Sequence, residues 1–392
     1  MSSSIKKIIF GLAGASILAT AANAGGFSRG TADTDILYED GNFVSRSSVT
    51  WVSPTQKLST QGYGPTESTD LLDSYVVPNF AMKLEPVDNI ACAGTYTTPF
   101  GGKSDYSNTA AGYDVSSATR SVKQDFVTNE LGLTCGVSFN AGPGKFTILG
   151  GAFYQSLDFE QLIGHNPLAG GIPTAALRLS DQGYGYRLGA AYEIPEIALR
   201  AQLMYRSAVN VDANGSLDNL LTGATINPFA TGKATFPQSV ELKVQSGVAP
   251  GWLVYGGVKW TEWSVFDVLE YNATGVPASL NFFWKDGWTV NGGVAHQVND
   301  MLAVTAGLTW DRGVGTGHDL QESDVWTVSA GASFKPSNNV EFRGGIGYSW
   351  FDSASQDFSA GPTVGSFVST PGIKTAEAGS ALGLNISAKV KF

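Results

Sequence analysis

The sequence predicts an all-β protein, a closed antiparallel transmembrane β-barrel of about fourteen strands. Three observations predict it: an amphipathic closing strand, an export signal at the opposite end, and hydrophobicity dispersed in alternation. In the final segment ALGLNISAKVKF, Leu382, Leu384, Ile386, Ala388, Val390 and Phe392 share one parity, and Asn385, Ser387, Lys389 and Lys391 share the other. Successive side chains point to opposite faces of a strand, so one face is apolar and the other polar and cationic. Such a strand separates lipid from water. Its terminal aromatic, Phe392, is the expected contact for the outer-membrane assembly machinery.

At the other end, Lys6 and Lys7 precede an apolar run from Ile8 to Ala22, followed by the small-residue site Ala22-Asn23-Ala24. This is the pattern of a signal peptide, residues 1–24, cleaved after Ala24. The run is interrupted by Gly11, Gly14, Ser16 and Thr20 and falls short of the ~20 residues a spanning helix needs. No other segment approaches one, so any membrane span is made of strands.

Composition agrees. The chain holds 48 Gly, 21 Phe, 14 Tyr and 9 Trp against 15% charged residues, a balance suited to alternating membrane strands. A net charge of −10 without a basic patch argues against nucleic acid as a partner. His165, His296 and His318 lack metal-ligand spacing, and no Ser/His arrangement marks a nucleophile, so neither metal, cofactor nor enzyme chemistry is expected.

Alternating segments define strands near 43–58, 76–86, 89–99, 120–140, 145–163, 181–193, 196–211, 236–248, 251–268, 282–297, 301–312, 324–335, 339–352 and 381–392. Tight connections at Pro86–Asp88, Ala141–Gly144, Ile194–Pro195, Ala249–Pro250, Val298–Asp300 and Pro336–Asn338 consist of turn formers. Long loops fall near 59–75, 100–119, 164–180, 212–235, 269–281, 313–323 and 353–380. Short turns on one side and long loops on the other suit a barrel inserted from the periplasm. Trp326, Val328, Ala330, Ala332 and Phe334 oppose Thr327, Ser329, Gly331 and Ser333, while Val240, Leu242 and Val244 oppose Glu241, Lys243 and Gln245. Turning a midplane Lys or Arg to lipid costs ~2–4 kcal/mol, which fixes the register. Trp252, Trp260, Tyr348 and Trp350 are placed for interfacial girdles. By the same parity reading, Ser156, Asp158 and Glu160 face the lumen, and Gly94, Gly132 and Gly136 are candidates for a bend in strands three and four.

Cys92 and Cys135 fall on neighbouring strands, both on the apolar parity and at similar depth. A cross-strand pair is one reading and two buried free thiols the other, with free thiols the preferred expectation.

Several segments resemble the FadL/TodX family of outer-membrane transporters for hydrophobic compounds. They are VPNFAMKLEPVDNIACAGTYTTPFGG from Val77, GYGYRLGAAYEIPEIALRAQLMYRSAVNVDANGSL from Gly183, FPQSVELKVQSGVAPGWLVYGGVKWTEWSVFDVLE from Phe236, and WKDGWTVNGGVAHQVNDMLAVTAGLTWD from Trp284. The resemblance implies a barrel, residues 43–392, whose lumen is blocked by an N-terminal hatch, here residues 25–42. The family's Asn-Pro-Ala is absent, and Tyr38-Glu39-Asp40-Gly41-Asn42 stands there instead. It also implies an outer-loop collecting groove and a lateral opening in the wall.

The function expected is uptake of hydrophobic compounds, long-chain fatty acids foremost, with outer-membrane lipids around the barrel. A general diffusion porin is the alternative, and a barrel enzyme or adhesin a further one. Leu168, Ile172 and Leu177 on one outer loop, with Leu217, Leu220, Leu221 and Phe229 on another, are the substrate-binding candidates, because exposed apolar loops pack together or bind something. Arg178, Arg187 and Lys259, with Lys233, are candidates to meet a carboxylate.

Overall fold

The computed structural model describes residues 26–61, 69–70, 72–105, 119–165, 173–266, 268–273, 277–316, 323–357 and 373–392, so the expected signal peptide lies outside it. Fourteen antiparallel strands close the wall. They are β1 (Phe43–Thr55), β2 (Tyr75–Val87), β3 (Ile90–Thr97, resuming as Gly101–Asp105), β4 (Thr119–Ala141), β5 (Gly144–His165), β6 (Pro173–Ile194) and β7 (Leu199–Arg206, then Val209–Asn219). There follow β8 (Thr225–Phe236, then Ser239–Ala249), β9 (Trp252–Thr261, then Val268–Asn272), β10 (Pro277–Asn281, then Gly287–Gln297), β11 (Leu302–Arg312), β12 (Val325–Ser337), β13 (Val340–Phe351) and β14 (Gly379–Lys391). β1 pairs with both β2 and β14, which leaves no open edge there.

The alternation is realised as expected. Leu203, Leu242, Val244, Val290, Leu308, Val328, Ile346, Leu384 and Ile386 face outward and are exposed, whereas Arg200, Gln202, Thr327, Glu341, Arg343 and Asn385 between them are buried in the lumen. Trp252, Tyr348 and Trp350 are also exposed on the outer surface.

The strands depart from expectation toward the outer end. β3 breaks at Thr98-Pro99-Phe100, β7 at Ser207-Ala208, β8 at Pro237-Gln238, β9 after Thr261 and β10 before Gly287. Proline has no N–H for a ladder, which explains two of these sites. Two breaks also switch parity. Below the break β7 turns Arg200, Gln202 and Arg206 inward; above it Val209, Val211 and Ala213 are the buried residues. β8 changes from Glu241 and Lys243 to Phe236 and Ala230 in the same way. Gly94, Gly132 and Gly136 are not the bend: β4 runs unbroken from Thr119 to Ala141, and β3 breaks beyond them.

The loops expected at 164–180 and 212–235 are largely strand. Pro173–Ile194 is continuous, and β7 and β8 form a hairpin with Asp212 opposite Lys233. Lys57–Gln61, Thr69–Asp70, Ala354–Asp357 and Ile373–Ala376 make a small separate sheet from two other loops. Cys92 and Cys135 sit directly opposite in the β3–β4 register and are joined as a disulfide, correcting the expectation of free thiols.

Candidate functional site

Above the belt of strand breaks the polarity of the wall reverses. Leu157 and Phe159 of β5, Leu177 and Leu179 of β6, Val211 and Ala213 of β7, and Ala234 and Phe236 of β8 point inward and line one cavity. Its empty space is about 1120 Å3 with the open mouth included, within reach of small-molecule pockets. Phe266 and Phe282, carried inward by the interruptions of β9 and β10, form its floor with Phe126 and Phe27. Below them Trp263 and Trp284 pack edge to face with ring centroids 5.3 Å apart. Ser156, Asp158 and Glu160, expected in the lumen, lie on the opposite parity and face outward. The apolar residues between them are the ones that line the cavity.

The leading segment meets this cavity from below. The Phe27 ring lies 4.8 Å from those of Phe126 and Trp284 and 5.7 Å from Phe266. The residues after it enter the barrel wall. Tyr75–Pro78 of β2 have no ladder partner in β3, whose pairing with β2 starts at Asn79 and Thr97. Ser28 forms a bridge with Phe100 there. Arg29 N–H donates to Pro99 O at 2.9 Å, Gly101 N–H to Phe27 O at 3.0 Å, and Asn79 Nδ2 to Thr31 O at 2.7 Å. The Arg29 guanidinium covers the Tyr75 ring at 3.6 Å. Gly30 is required by space: a Cβ would lie 2.6 Å from Thr97 Oγ1 and 2.8 Å from Thr98 O.

The second half of the leading segment is held by charge. Asp33 pairs with Arg46 at 2.7 Å, Asp35 with Lys243 at 3.4 Å, and Glu39 with Arg46 and with Lys389 at 2.7 Å. Lys83 Nζ donates to Glu39 O at 2.7 Å. Burial alone would raise the Glu39 carboxyl, but Arg46, Lys389 and Arg343 overcome it and hold the group down to about 2. Asp35 is likewise held at about 2, its burial overcome by Lys243, Arg200 and Arg46. Ile36 and Leu37 of the same turn pack against Val44, Ala81, Ala93 and Leu149.

The expected site residues separate into groups. Leu177 lines the cavity, and Leu217 is buried in the aromatic cluster beside it. Leu220, Leu221 and Phe229 stand at the tip of the β7–β8 hairpin, Phe229 with 81% of its surface exposed. Leu168 and Ile172 lie outside the described residues. Arg178 is on the outer face, bonded to Glu160 at 2.7 Å, and Lys233 pairs with Asp212 at 3.2 Å at the rim. Arg187 is buried deep in the lumen against Glu130, which also accepts Arg206 at 3.0 Å. Lys259 faces the lumen lower down. Sequence reasoning missed the aromatic floor, Phe27, Phe126, Phe266 and Phe282. The signal was there in the turn-like WTEWSVF and NFFWKDG, which interrupt otherwise regular strands.

Residues 40–392 match the family model described as outer membrane protein transport protein (OMPP1/FadL/TodX). The chain is 23% identical to a long-chain fatty acid transport protein of Salmonella typhi, covering 76% of this chain and 75% of that one. It is 22% identical to the protein of that name in Escherichia coli (strain K12), covering 69% and 70%. Among solved structures, a Pseudomonas aeruginosa FadL homologue superposes with a TM-score of 0.73 at 15% identity, over 91% of this chain and 92% of the other. The P. putida toluene transporter TodX gives 0.63 at 14% identity over the same shares.

Proposed function

From the premise that this chain belongs to the OMPP1/FadL/TodX family, and so is an outer-membrane transporter and not an enzyme, we propose that it takes up hydrophobic compounds, long-chain fatty acids foremost, through a hatch-plugged barrel with a lateral exit. The observation that carries this reading is the apolar cavity stoppered by Phe27, whose own next residues fill the gap between β2 and β3.

A hydrophobic solute needs favourable contact at every stage, because the aqueous lumen of an open porin offers none. The exposed Leu220, Leu221 and Phe229 offer a first apolar surface above the membrane, to which Leu168 and Ile172 would contribute. The cavity below, with Leu177 in its wall, offers burial at about 25 cal/mol per Å2, several kcal/mol for a long alkyl chain. Residues 25–42 act as the hatch. Cargo that displaces Phe27 pulls on Ser28–Thr31, and their withdrawal opens the wall gap toward the surrounding lipid, so the solute leaves sideways without crossing water. Phe392, exposed at the end of β14, remains the contact for the assembly machinery.

Growth of a transport-deficient strain on a long-chain fatty acid tests the proposal. The wild-type gene restores it, and one carrying Leu217, Leu220 and Leu221 changed to Asp does not. A large, steady current through the purified protein in a planar bilayer would instead establish a general diffusion porin and overturn the hatch.

A further inference from the structure

We infer that the wall of the apolar cavity carries a hydroxyl site, built on the carboxamides of Gln124 and Gln161, and that the protein therefore also takes up long-chain alcohols. The inference rests on the uptake reading and goes beyond it, adding an uncharged class of cargo that is recognised by hydrogen bonds.

The site follows from register. Ser104 of β3, Gln124 of β4, Gln161 of β5 and Leu177 of β6 stand side by side in one cross-strand row on the inner face. The next inward row below is Gly102, Phe126, Phe159 and Leu179. In the row above, Ile163 and Ala175 stand opposite each other and pack into the apolar cluster. Two carboxamides thus face each other across β4 and β5 between apolar rows, with the buried Ser104 beside them. A polar group set in an apolar wall needs a hydrogen-bond partner to replace water. Among the described residues the Gln124 carboxamide has none.

The chemistry of the lining names the ligand. Among the described residues the charged groups of this cavity are Lys103, Lys233 and Glu270. Lys103 pairs with Asp73 at 3.4 Å and Lys233 with Asp212 at 3.2 Å, while Glu270 stands opposite Lys233 in the β8–β9 register. With each cation already paired, the polar selectivity of the wall comes from its neutral amides. A carboxamide offers N–H donors and a carbonyl acceptor, and a hydroxyl both donates and accepts, so the two satisfy each other. A few polar groups placed in an otherwise apolar pocket fix the orientation of what it holds. An alcohol bonded to Gln124 lays its first methylenes on Phe126 and Phe159 and its chain along Leu179 toward the floor at Phe266 and Phe282.

The test is displacement of the fluorescent probe phenylnaphthylamine from the full-length barrel in amphipol, by the primary alcohol dodecanol and by the alkane dodecane. Wild type is expected to bind both. Gln124→Met is expected to weaken the alcohol by roughly fivefold, the worth of one hydrogen bond, and to leave the alkane within about twofold. Gln161→Met, on the neighbouring strand, is expected to act in the same direction, so the outcome does not hang on one variant. Heat-modifiable migration on a gel checks that each is folded. Unchanged alcohol binding in the folded variants, or an equal loss for alcohol and alkane, overturns the hydroxyl site and leaves the uptake reading standing. Binding of neither compound by wild type overturns the uptake reading, and the site with it.

Discussion

Two halves of one wall solve opposite problems. In the membrane band, β6 and its neighbours turn Leu188, Leu203 and Leu242 to lipid and Arg187, Gln202 and Lys243 to a polar lumen. Above the belt of strand breaks, the same strands turn Arg178, Asp158 and Asp212 outward and Leu177, Leu157 and Val211 inward. The reversal follows the solvent. Below, oil is outside and water within; above, water surrounds a wall whose only dry side is the interior. Hydrophobic parity thus reports which side is dry, not which side is inward.

Four measurements break or sharpen that contrast, one for each face of each half. The largest effect is expected inside the membrane band. Glu39→Gln leaves Arg46 and Lys389 short of their shared partner, and breaking a buried ion pair costs about 3 to 5 kcal/mol. Planar-bilayer recordings should then show frequent open events that wild type lacks; a silent trace would detach the hatch from this anchor. Acid gives the same loss by titration. With its carboxyl held at about 2, well below its unfolded value, Glu39 contributes in full above the ordinary carboxylate range, and the contribution fades as pH falls toward about 2. Conductance is therefore expected to be flat from about pH 5 to 8.

Next comes the outside of the same band. Leu188→Arg should lower barrel stability by about 2 to 4 kcal/mol in refolding titrations from urea into lipid, the depth-dependent cost of a cation facing hydrocarbon. Inside the upper half, Leu179→Ala trims the cavity wall and should weaken cargo binding by about five- to tenfold in calorimetry. The smallest effect is expected on the outside of the upper half. Asp158→Arg should move stability by less than about 0.5 kcal/mol, as surface substitutions in water do. A cost there as large as that of Leu188→Arg would place the residue in lipid and remove the reversal.

The strands were legible because lipid enforces alternation. Leu382 to Phe392 against Asn385 to Lys391 could be read without coordinates, and β14 pairs with β1 through that register, Ile386 opposite Val49. The resemblance carried by Gly183–Leu217 and Phe236–Glu270 likewise led to the family that the chain belongs to. The outer half misled for a physical reason. Asp158 and Glu160 are charged, and charge marks the lumen side only where the exterior is oily.

By itself, then, the sequence determined a barrel and its register in the membrane, because period-two amphipathicity is a local property that a bilayer makes obligatory. Tertiary structure decided where the strands break, which parity faces inward beyond those breaks, and that Phe27 reaches Phe126 and Trp284 from the far end of the chain. A one-residue change of phase at Ser207 or Pro237 leaves no mark on local alternation. Only closure of the wall shows which side each residue faces, and so gathers the apolar cavity.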